Sequence, residues 1–517
     1  MRRLRLITLL SLLLLLGMPV RAQDDEQDDA RETNDEALAA YDKALKAQRK
    51  RRWKSAKRAF RRFIKRYPES PLVEDARERS GDNAYLGCEI LWKSGPASRR
   101  IDVAVMGDGF TIDASDQNRL GKWAELCIDV LWHEKGFGHY KNYFNVYFVR
   151  LASLEEGVDP NLSPEEIEKK RKKNKQRRRA LNYKIDYSTA LDAKAAGPQG
   201  QVMMNRGLVY KWLEIAHKKV PGAGDDRLVI AFAQFGKLGM GGGGIAHVGR
   251  PDKSITTHEF GHAFVGLLDE YQGNPTPPPP GGRRWVRAAN ASVTDDPQKV
   301  PWAHFLKQRV KRVGVYEGGA TYNKGVWRPA RTCAMNAAGA TAFCPVCREA
   351  AILVIYEYVR PIDTYAPGTE TEIKALQGDD SKITVTPMQP KKPLKVRWYV
   401  AVREPEDPGV DDLTIEEDPE QWPPMYAGRG GRGFGGKRAN ADRSEYDEPP
   451  PGELNKLAKR LKGKPRRYAF PLGKLPPGLY TITVEVKDET KFVIKDPKHL
   501  LEDRQTWQVR VDPKPKR

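Results

Sequence analysis

Apolar residues recur at helical spacing over residues 37–67. Trp53, Ala56, Phe60, Phe63, Ile64 and Tyr67 fall three and four apart and form one stripe. Tyr67-Pro68-Glu69-Ser70-Pro71 stops the pattern and residues 72–79 resume it, so a short helical hairpin is predicted. From residue 101 the period changes. Ile101-Asp102-Val103-Ala104-Val105-Met106 reads as a strand with turn residues Gly107-Asp108-Gly109 behind it. Residues 117–132 read as an amphipathic helix, 143–151 as a strand, 207–218 as a helix and 227–233 as a buried strand. That alternation predicts a mixed α/β sheet. Beyond residue 364 the texture shifts again. Residues 382–387, 394–402, 479–486 and 505–511 read as strands with turns such as Pro476-Pro477-Gly478 between them, which predicts an all-β sandwich. The stretch 403–466, rich in Gly, Pro, Arg and Asp, is expected to be a disordered insertion, and the acidic stretch 24–35 a disordered tail.

Length and charge refine this picture. A chain of 517 residues is too long for one core, so it is multidomain. Arg2-Arg3-Leu4-Arg5, the apolar run 6–18 and Val20-Arg21-Ala22 have the layout of a signal peptide, with the mature chain starting near Gln23. The apolar run is too short to span a bilayer comfortably, and no later stretch is apolar enough. The expectation is export to a periplasmic, cell-surface or secreted location, with no transmembrane segment after cleavage. The net charge of +21 is concentrated in runs at 49–66, 169–179 and 429–443. Such runs are read first as solvated faces, and second as attraction to anionic envelope polymers. The Arg-Gly-Gly stretch 428–436 resembles RNA-binding segments, but an exported chain predicts no specific nucleic-acid partner.

The chemistry concentrates in Thr257-His258-Glu259-Phe260-Gly261-His262, continued by Gly266-Leu267-Leu268-Asp269-Glu270-Tyr271. The chain has only eight histidines. On a helix, His258 and His262 face the same way one turn apart and can share one Zn²⁺. Glu259 beside them can serve as general base toward a metal-bound water. Pro251-Asp252-Lys253-Ser254 reads as the helix start, with Asp252 or Ser254 as cap, and Gly266 as a stop. A catalytic zinc takes three protein ligands. Asp269 is the first choice for the third, Glu270 the competing one, and His247 and His304 are remoter. A continuous helix would place Asp269 about 10 Å along the axis from His262, so the chain must break near Gly266 and fold back. Tyr271 is a candidate to help hold an oxyanion. The run Gly239-Met240-Gly241-Gly242-Gly243-Gly244 is not followed by Gly-Lys-Ser/Thr, which speaks against a phosphate cradle. A flexible loop beside an edge strand at 245–248 fits better. His133 and His139, six apart with no helical frame, read as non-ligands.

The five cysteines are Cys88, Cys127, Cys333, Cys344 and Cys347. Cys344-Pro345-Val346-Cys347 could be a redox pair or half of a metal knuckle. The upstream sequence lacks a thioredoxin-like context, and a knuckle would need a fourth ligand beside Cys333. A structural disulfide from Cys333 to Cys344 or Cys347 is therefore the favoured expectation.

The stretch His258–Tyr271 resembles the zinc site of the IgA-peptidase family of zinc metallopeptidases, which is metzincin-like. Residues 101–111 (IDVAVMGDGFT), 144–159 (FNVYFVRLASLEEGVD) and 317–347 (EGGATYNKGVWRPARTCAMN…FCPVC) are also similar to that family. In the usual metzincin pattern a Gly and the third ligand stand three and six residues after the second His. Here Val265 and Leu268 hold those places, and Gly266 and Asp269 come one later. The resemblance implies that Met335 is the methionine turn beneath the metal, and that an edge strand pairs with extended peptide substrate. The 37–79 hairpin resembles a tetratricopeptide-like unit, and the C-terminal sandwich an immunoglobulin-like one.

These readings give residues 1–22 as signal peptide, 23–82 as acidic tail and helical hairpin, 83–362 as a metzincin-like α/β metallopeptidase domain, and 363–517 as a β-sandwich domain. The function they imply is a secreted zinc endopeptidase acting on extracellular or envelope protein or peptide substrates. The alternative is an exported, non-catalytic binding protein on the same scaffold.

Overall fold

The computed structural model describes residues 21–159, 187–196, 201–234, 239–276, 288–336, 339–403 and 468–515, with a few positions between 165 and 172. Residues 1–20, most of the basic run 169–179, the proline-rich stretch 277–282 and nearly all of the expected insertion 403–466 lie outside the described residues. Among the described residues, no helix is long and apolar enough to cross a membrane. The chain divides into two compact units, residues 1–84 and 85–517.

The first unit is helical: α1 (Arg21–Arg49), α2 (Trp53–Arg66) and α3 (Val73–Ser80). The predicted stripe forms its core, with Phe60 and Phe63 packed edge-on against Tyr41 of α1, 5.5 Å between ring centroids. The acidic stretch 24–35 is a correction to the expectation of disorder. It is helical, the opening half of α1. It contains no Gly or Pro, and acidic residues near a helix N-terminus complement the macrodipole.

The second unit is built on a six-stranded sheet of order β1-β3-β2-β6-β8-β7. Its strands are β1 (Ala84–Trp92), β2 (Ile101–Asp108), β3 (Phe144–Ala152), β6 (Leu228–Ala233), β7 (Met240–Gly242) and β8 (Ile245–Val248). β4 (Lys194–Ala196) and β5 (Gln201–Met203) form a separate antiparallel pair. The central strands β2, β3, β6 and β8 are parallel and buried along their whole length. Side chains alternate across a strand, so each face needs its own cover. Ile101, Val103 and Val105 pack with Leu120, Ala124 and Leu131 of α4 (Ala114–His133). Ala104 and Met106 pack on the other side with Val209, Trp212 and Leu213 of α5 (Arg206–Lys219).

The glycine run closes one edge of this sheet. β7 pairs antiparallel with β8, Gly242 opposite Ile245, through a two-residue turn at Gly243-Gly244, both with positive φ. Such a turn matches strand twist and favours glycine. The edge is therefore β7, and residues 245–248, expected at the edge, lie inside between β6 and β7. The sheet leads into helix α6 (Ile255–Phe260) and, through β9 (Gln272–Asn274), into a small sheet with β10 (Tyr316–Gly319) and β11 (Thr321–Arg328). Helix α7 (Pro345–Tyr358) follows.

Among the described residues, the C-terminal part contains all four predicted strands and three more. One sheet is β12 (Ile362–Ala366), β14 (Lys382–Pro387) and β16 (Ala469–Pro471). The other is β13 (Ile373–Leu376), β18 (Glu502–Asp512), β17 (Gly478–Lys487) and β15 (Lys395–Val402). Trp398 of one sheet meets Phe470 of the other at 5.4 Å between ring centroids. This part shares one apolar core with α4, α6 and α7. Arg100 clasps both carboxylate oxygens of Asp363 at 2.7 and 2.8 Å. Asp488 accepts the hydroxyls of Tyr140 and Tyr356, at 2.6 and 2.9 Å.

One buried acid in the main sheet has a measurable consequence. Asp102 accepts a 2.8 Å hydrogen bond from the Asn145 amide. Burial pushes its carboxyl up to about 7, Asn145 partly opposes this, and Asp226 and Asp225 add to it. A raised carboxyl is comfortable protonated and costly ionised. Its contribution to stability is thus intact near pH 4 and is lost as pH climbs toward 7. Asp102→Asn removes that cost. It is expected to raise the thermal midpoint at pH 8, by up to about 4 kcal/mol of stability, with the gain shrinking toward pH 4. Thermal melts of both proteins across this range check it.

Candidate metal centre

Helix α6 starts where the sequence suggests. Asp252 Oδ1 accepts the N–H groups of Ser254 and Ile255, both at 2.8 Å, so Asp252 satisfies the first turn. After Phe260 the helix widens into a π turn over Gly261–Val265 and ends at Gly266. Gly266 has φ +75°, the left-handed region, and the Leu267 N–H returns to the Gly261 carbonyl at 3.2 Å. A Cβ at Gly266 would touch nothing within 4 Å, so the requirement there belongs to the backbone alone.

The reversal brings Asp269 back to the histidines. Its Oδ1 lies 3.1 Å from Nε2 of His258 and 3.1 Å from Nε2 of His262, and the two Nε2 atoms are 3.1 Å apart. The other ring nitrogens are already engaged. His258 Nδ1–H donates to the Ala334 carbonyl at 2.8 Å and His262 Nδ1–H to the Leu267 carbonyl at 2.6 Å. Those bonds orient both rings and leave both Nε2 atoms for a cation. A tetrahedral Zn²⁺ with bonds of about 2.0–2.1 Å holds its ligand atoms about 3.3 Å apart. The observed triangle fits such an ion, and its donors, two imidazoles and one carboxylate, suit it.

Each residue of the reversal is tied down. The Leu268 N–H donates to Asn290 Oδ1 at 3.0 Å, and the Asn290 amide donates back to the Leu268 carbonyl at 2.8 Å. The Asp269 carbonyl accepts from Ala320, and the Glu270 N–H donates to the Met335 carbonyl at 2.7 Å. Met335 is fully buried under the helix, and a Cβ on Gly261 would come within 2.9 Å of its sulfur.

The neighbouring groups shape the electrostatics. Burial pushes the Glu259 carboxyl up to about 7, against the pull of His258 and His262. Burial would lower His258, but its hydrogen bond to Asp269 and the Glu259 and Asp269 charges push it up to about 9. Burial would likewise raise Asp269, yet the two imidazoles hold it well below the usual carboxylate range. A cation at these atoms would have to displace the proton they share. The glycine strand abuts the same helix. A Cβ on Gly239 would strike the Glu259 side chain at 2.5 Å, and one on Gly241 the Glu259 carbonyl at 2.3 Å. Tyr271 stacks on His258, its ring inclined by 18°, and its hydroxyl bonds to Asp269.

The remaining sequence candidates lie elsewhere. Glu270 turns away from the histidines and into a group with Cys333, Cys344 and Cys347. His247 Nδ1 accepts the Met204 N–H at 3.1 Å. His304 pairs with Glu349 at 2.6 Å. Cys333, Cys344 and Cys347, expected to supply a disulfide, are all free thiols, as are Cys88 and Cys127. Sequence reasoning missed Asn290 and the Ala334 carbonyl. Neither gives a signal, because an asparagine and a backbone oxygen acquire these roles only from distant chain.

Residues 90–172 and 307–355 match the family model described as IgA Peptidase M64. The two stretches amount to about a quarter of the chain. The match supports a peptidase, a hydrolase with protein substrates. The His258–Asp269 segment falls between the matched stretches, whereas Cys333, Met335, Cys344 and Cys347 fall inside the second. Comparison with curated proteins finds no match.

The left-handed turn gives a clean test of the reversal. Gly266→Ala introduces no clash, only a strained backbone, and is expected to cost about 1–2 kcal/mol. A lower urea midpoint at unchanged slope is the outcome that checks it.

Proposed function

We propose that this chain is an exported zinc endopeptidase whose metal is held by His258, His262 and Asp269. The observation behind this reading is the 3.1 Å triangle of two imidazole nitrogens and one carboxylate oxygen, with buried Glu259 on the same helix. Zn²⁺ bound there would supply Lewis-acid polarisation of a scissile carbonyl and make an adjacent water more acidic. Glu259 accepts the proton of the attacking water and returns it to the leaving amine. The two Nδ1–H bonds to backbone carbonyls fix the rings in orientation and turn both Nε2 atoms toward the metal position. The Tyr271 hydroxyl, which bonds to Asp269, would help hold negative charge on the substrate oxygen. Met335 takes the part of the methionine turn.

Strand β7 supplies the substrate rail. It is the sheet's edge and packs on α6, and Gly241 and Gly242 bring no side chains. An extended peptide can pair with its main chain. The substrates in this reading are extracellular or envelope proteins. Export rests on the signal-peptide layout of residues 1–22. The tetratricopeptide-like hairpin and the immunoglobulin-like sandwich are the accessory parts, at the boundaries drawn from the sequence.

Elemental analysis combined with casein hydrolysis tests the assignment. Glu259→Ala is expected to keep its metal and to slow hydrolysis by at least about a hundred-fold. His262→Ala is expected to lose both activity and one equivalent of metal. Wild-type rates in Glu259→Ala would overturn the mechanism. A metal-loaded wild type that cleaves no protein or peptide substrate would favour the non-catalytic binding protein.

A further inference from the structure

A second group of ligand-type side chains lies behind the first. Glu270, Cys333, Cys344 and Cys347 come from three separate stretches of chain, yet one ligand atom from each falls within 4.8 Å of all the others. Cys347 Sγ is 3.0 Å and Cys344 Sγ 4.0 Å from Glu270 Oε1. All four residues are buried, Glu270 and Cys347 completely. The Cys344 N–H donates to Cys333 Sγ at 3.2 Å, and the Asn290 amide donates to Glu270 Oε1 at 3.1 Å. Glu270 Oε2 is buried without a hydrogen-bond partner.

We propose that these four residues form a second, structural metal site for a thiophilic divalent cation of the Zn²⁺ class. Three sulfurs and one oxygen make a closed four-coordinate set, the form of a structural rather than a catalytic centre. With Zn–S bonds of about 2.3 Å, tetrahedral geometry separates the sulfurs by about 3.8 Å, inside the observed envelope. Thiolate ligands select against Mg²⁺ and Ca²⁺. On binding, the cation takes the place of the thiol and carboxyl protons, which pass to solvent. It also supplies the charge that a carboxylate in an apolar core lacks.

Two rival readings account for less. A disulfide from Cys333 to Cys344 or Cys347 leaves the third thiol out of the bridge and Glu270 Oε2 still buried without a partner. A redox role for Cys344 and Cys347 at the start of α7 needs an accessible sulfur, and these residues are 4% and 0% exposed.

The placement gives the site its purpose. Glu270 follows Asp269 directly, and Cys333 directly precedes Ala334 and Met335, whose carbonyls hold His258 and Glu270. The second ion would lock the reversal that delivers Asp269.

Cobalt loading of the full-length protein tests this independently of the peptidase reading, because the His258–His262–Asp269 site contains no sulfur. The wild type is expected to bind two Co²⁺ per chain and to show a near-ultraviolet sulfur-to-cobalt charge-transfer band. His262→Ala is expected to bind one ion and keep the band. Cys347→Ser is expected to lose the band, and if that variant does not fold, the wild type and His262→Ala decide the question. Absence of the band from the loaded wild type would overturn the proposal. So would an intact mass two hydrogens short, with the bridge mapped to Cys333, Cys344 or Cys347.

Discussion

The geometry of this protein turns on one chain reversal. A helix can align two imidazoles a turn apart, but it cannot also present an acid seven residues further on. The left-handed Gly266 resolves this by ending the helix and sending Asp269 back to 3.1 Å from both rings. A reversal of four residues has little internal cohesion, so other parts of the chain must hold it. Asn290, Ala320 and Met335 each bond to its backbone. None of these contacts is near it in sequence. The site is therefore a product of the completed fold rather than of the helix that bears its most visible residues.

The segment from Cys333 to Met335 illustrates the economy of that arrangement. Two of its residues face three tasks. The Ala334 carbonyl fixes the His258 ring, the Met335 carbonyl holds Glu270, and the Met335 side chain fills the floor beneath Gly261. Opposite, the glycine strand approaches so closely that a single Cβ at Gly241 would collide with the helix backbone. The helix is gripped from both sides, one of them polar and one merely close.

Periodic elements of the chain were legible because their signal is local. β2, β3, β6 and the helices α4 and α5 sit within a few residues of their hydrophobic patterns, since parallel strands buried on both faces read as continuous apolar runs. The helix break at Gly266 was legible for a different reason: ligand reach and helix rise leave no other solution. Three things were hidden. Strand β7 looks like a loop, because its glycines are demanded by contacts with α6 and not by any turn preference alone. The acidic opening of α1 looks disordered by charge, while its lack of Gly and Pro lets the helix run on. The cysteines suggested a bridge because their fourth companion, Glu270, stands over sixty residues earlier and was already being considered for a different task.

The aromatic and acidic contacts beneath α7 bear on how such a chain could have diversified. Tyr140 and Tyr356 share the carboxylate of Asp488, and Arg100 embraces Asp363, so the late strands form part of the floor on which the earlier sheet and helices rest. Cutting the gene between them would leave two tyrosines facing water and a guanidinium without its counterion. The two halves thus cannot be traded like cassettes. Variation that respects this joint is confined to the loops and to the far faces of the strands, where novelty can accumulate without loosening the part that must stay still.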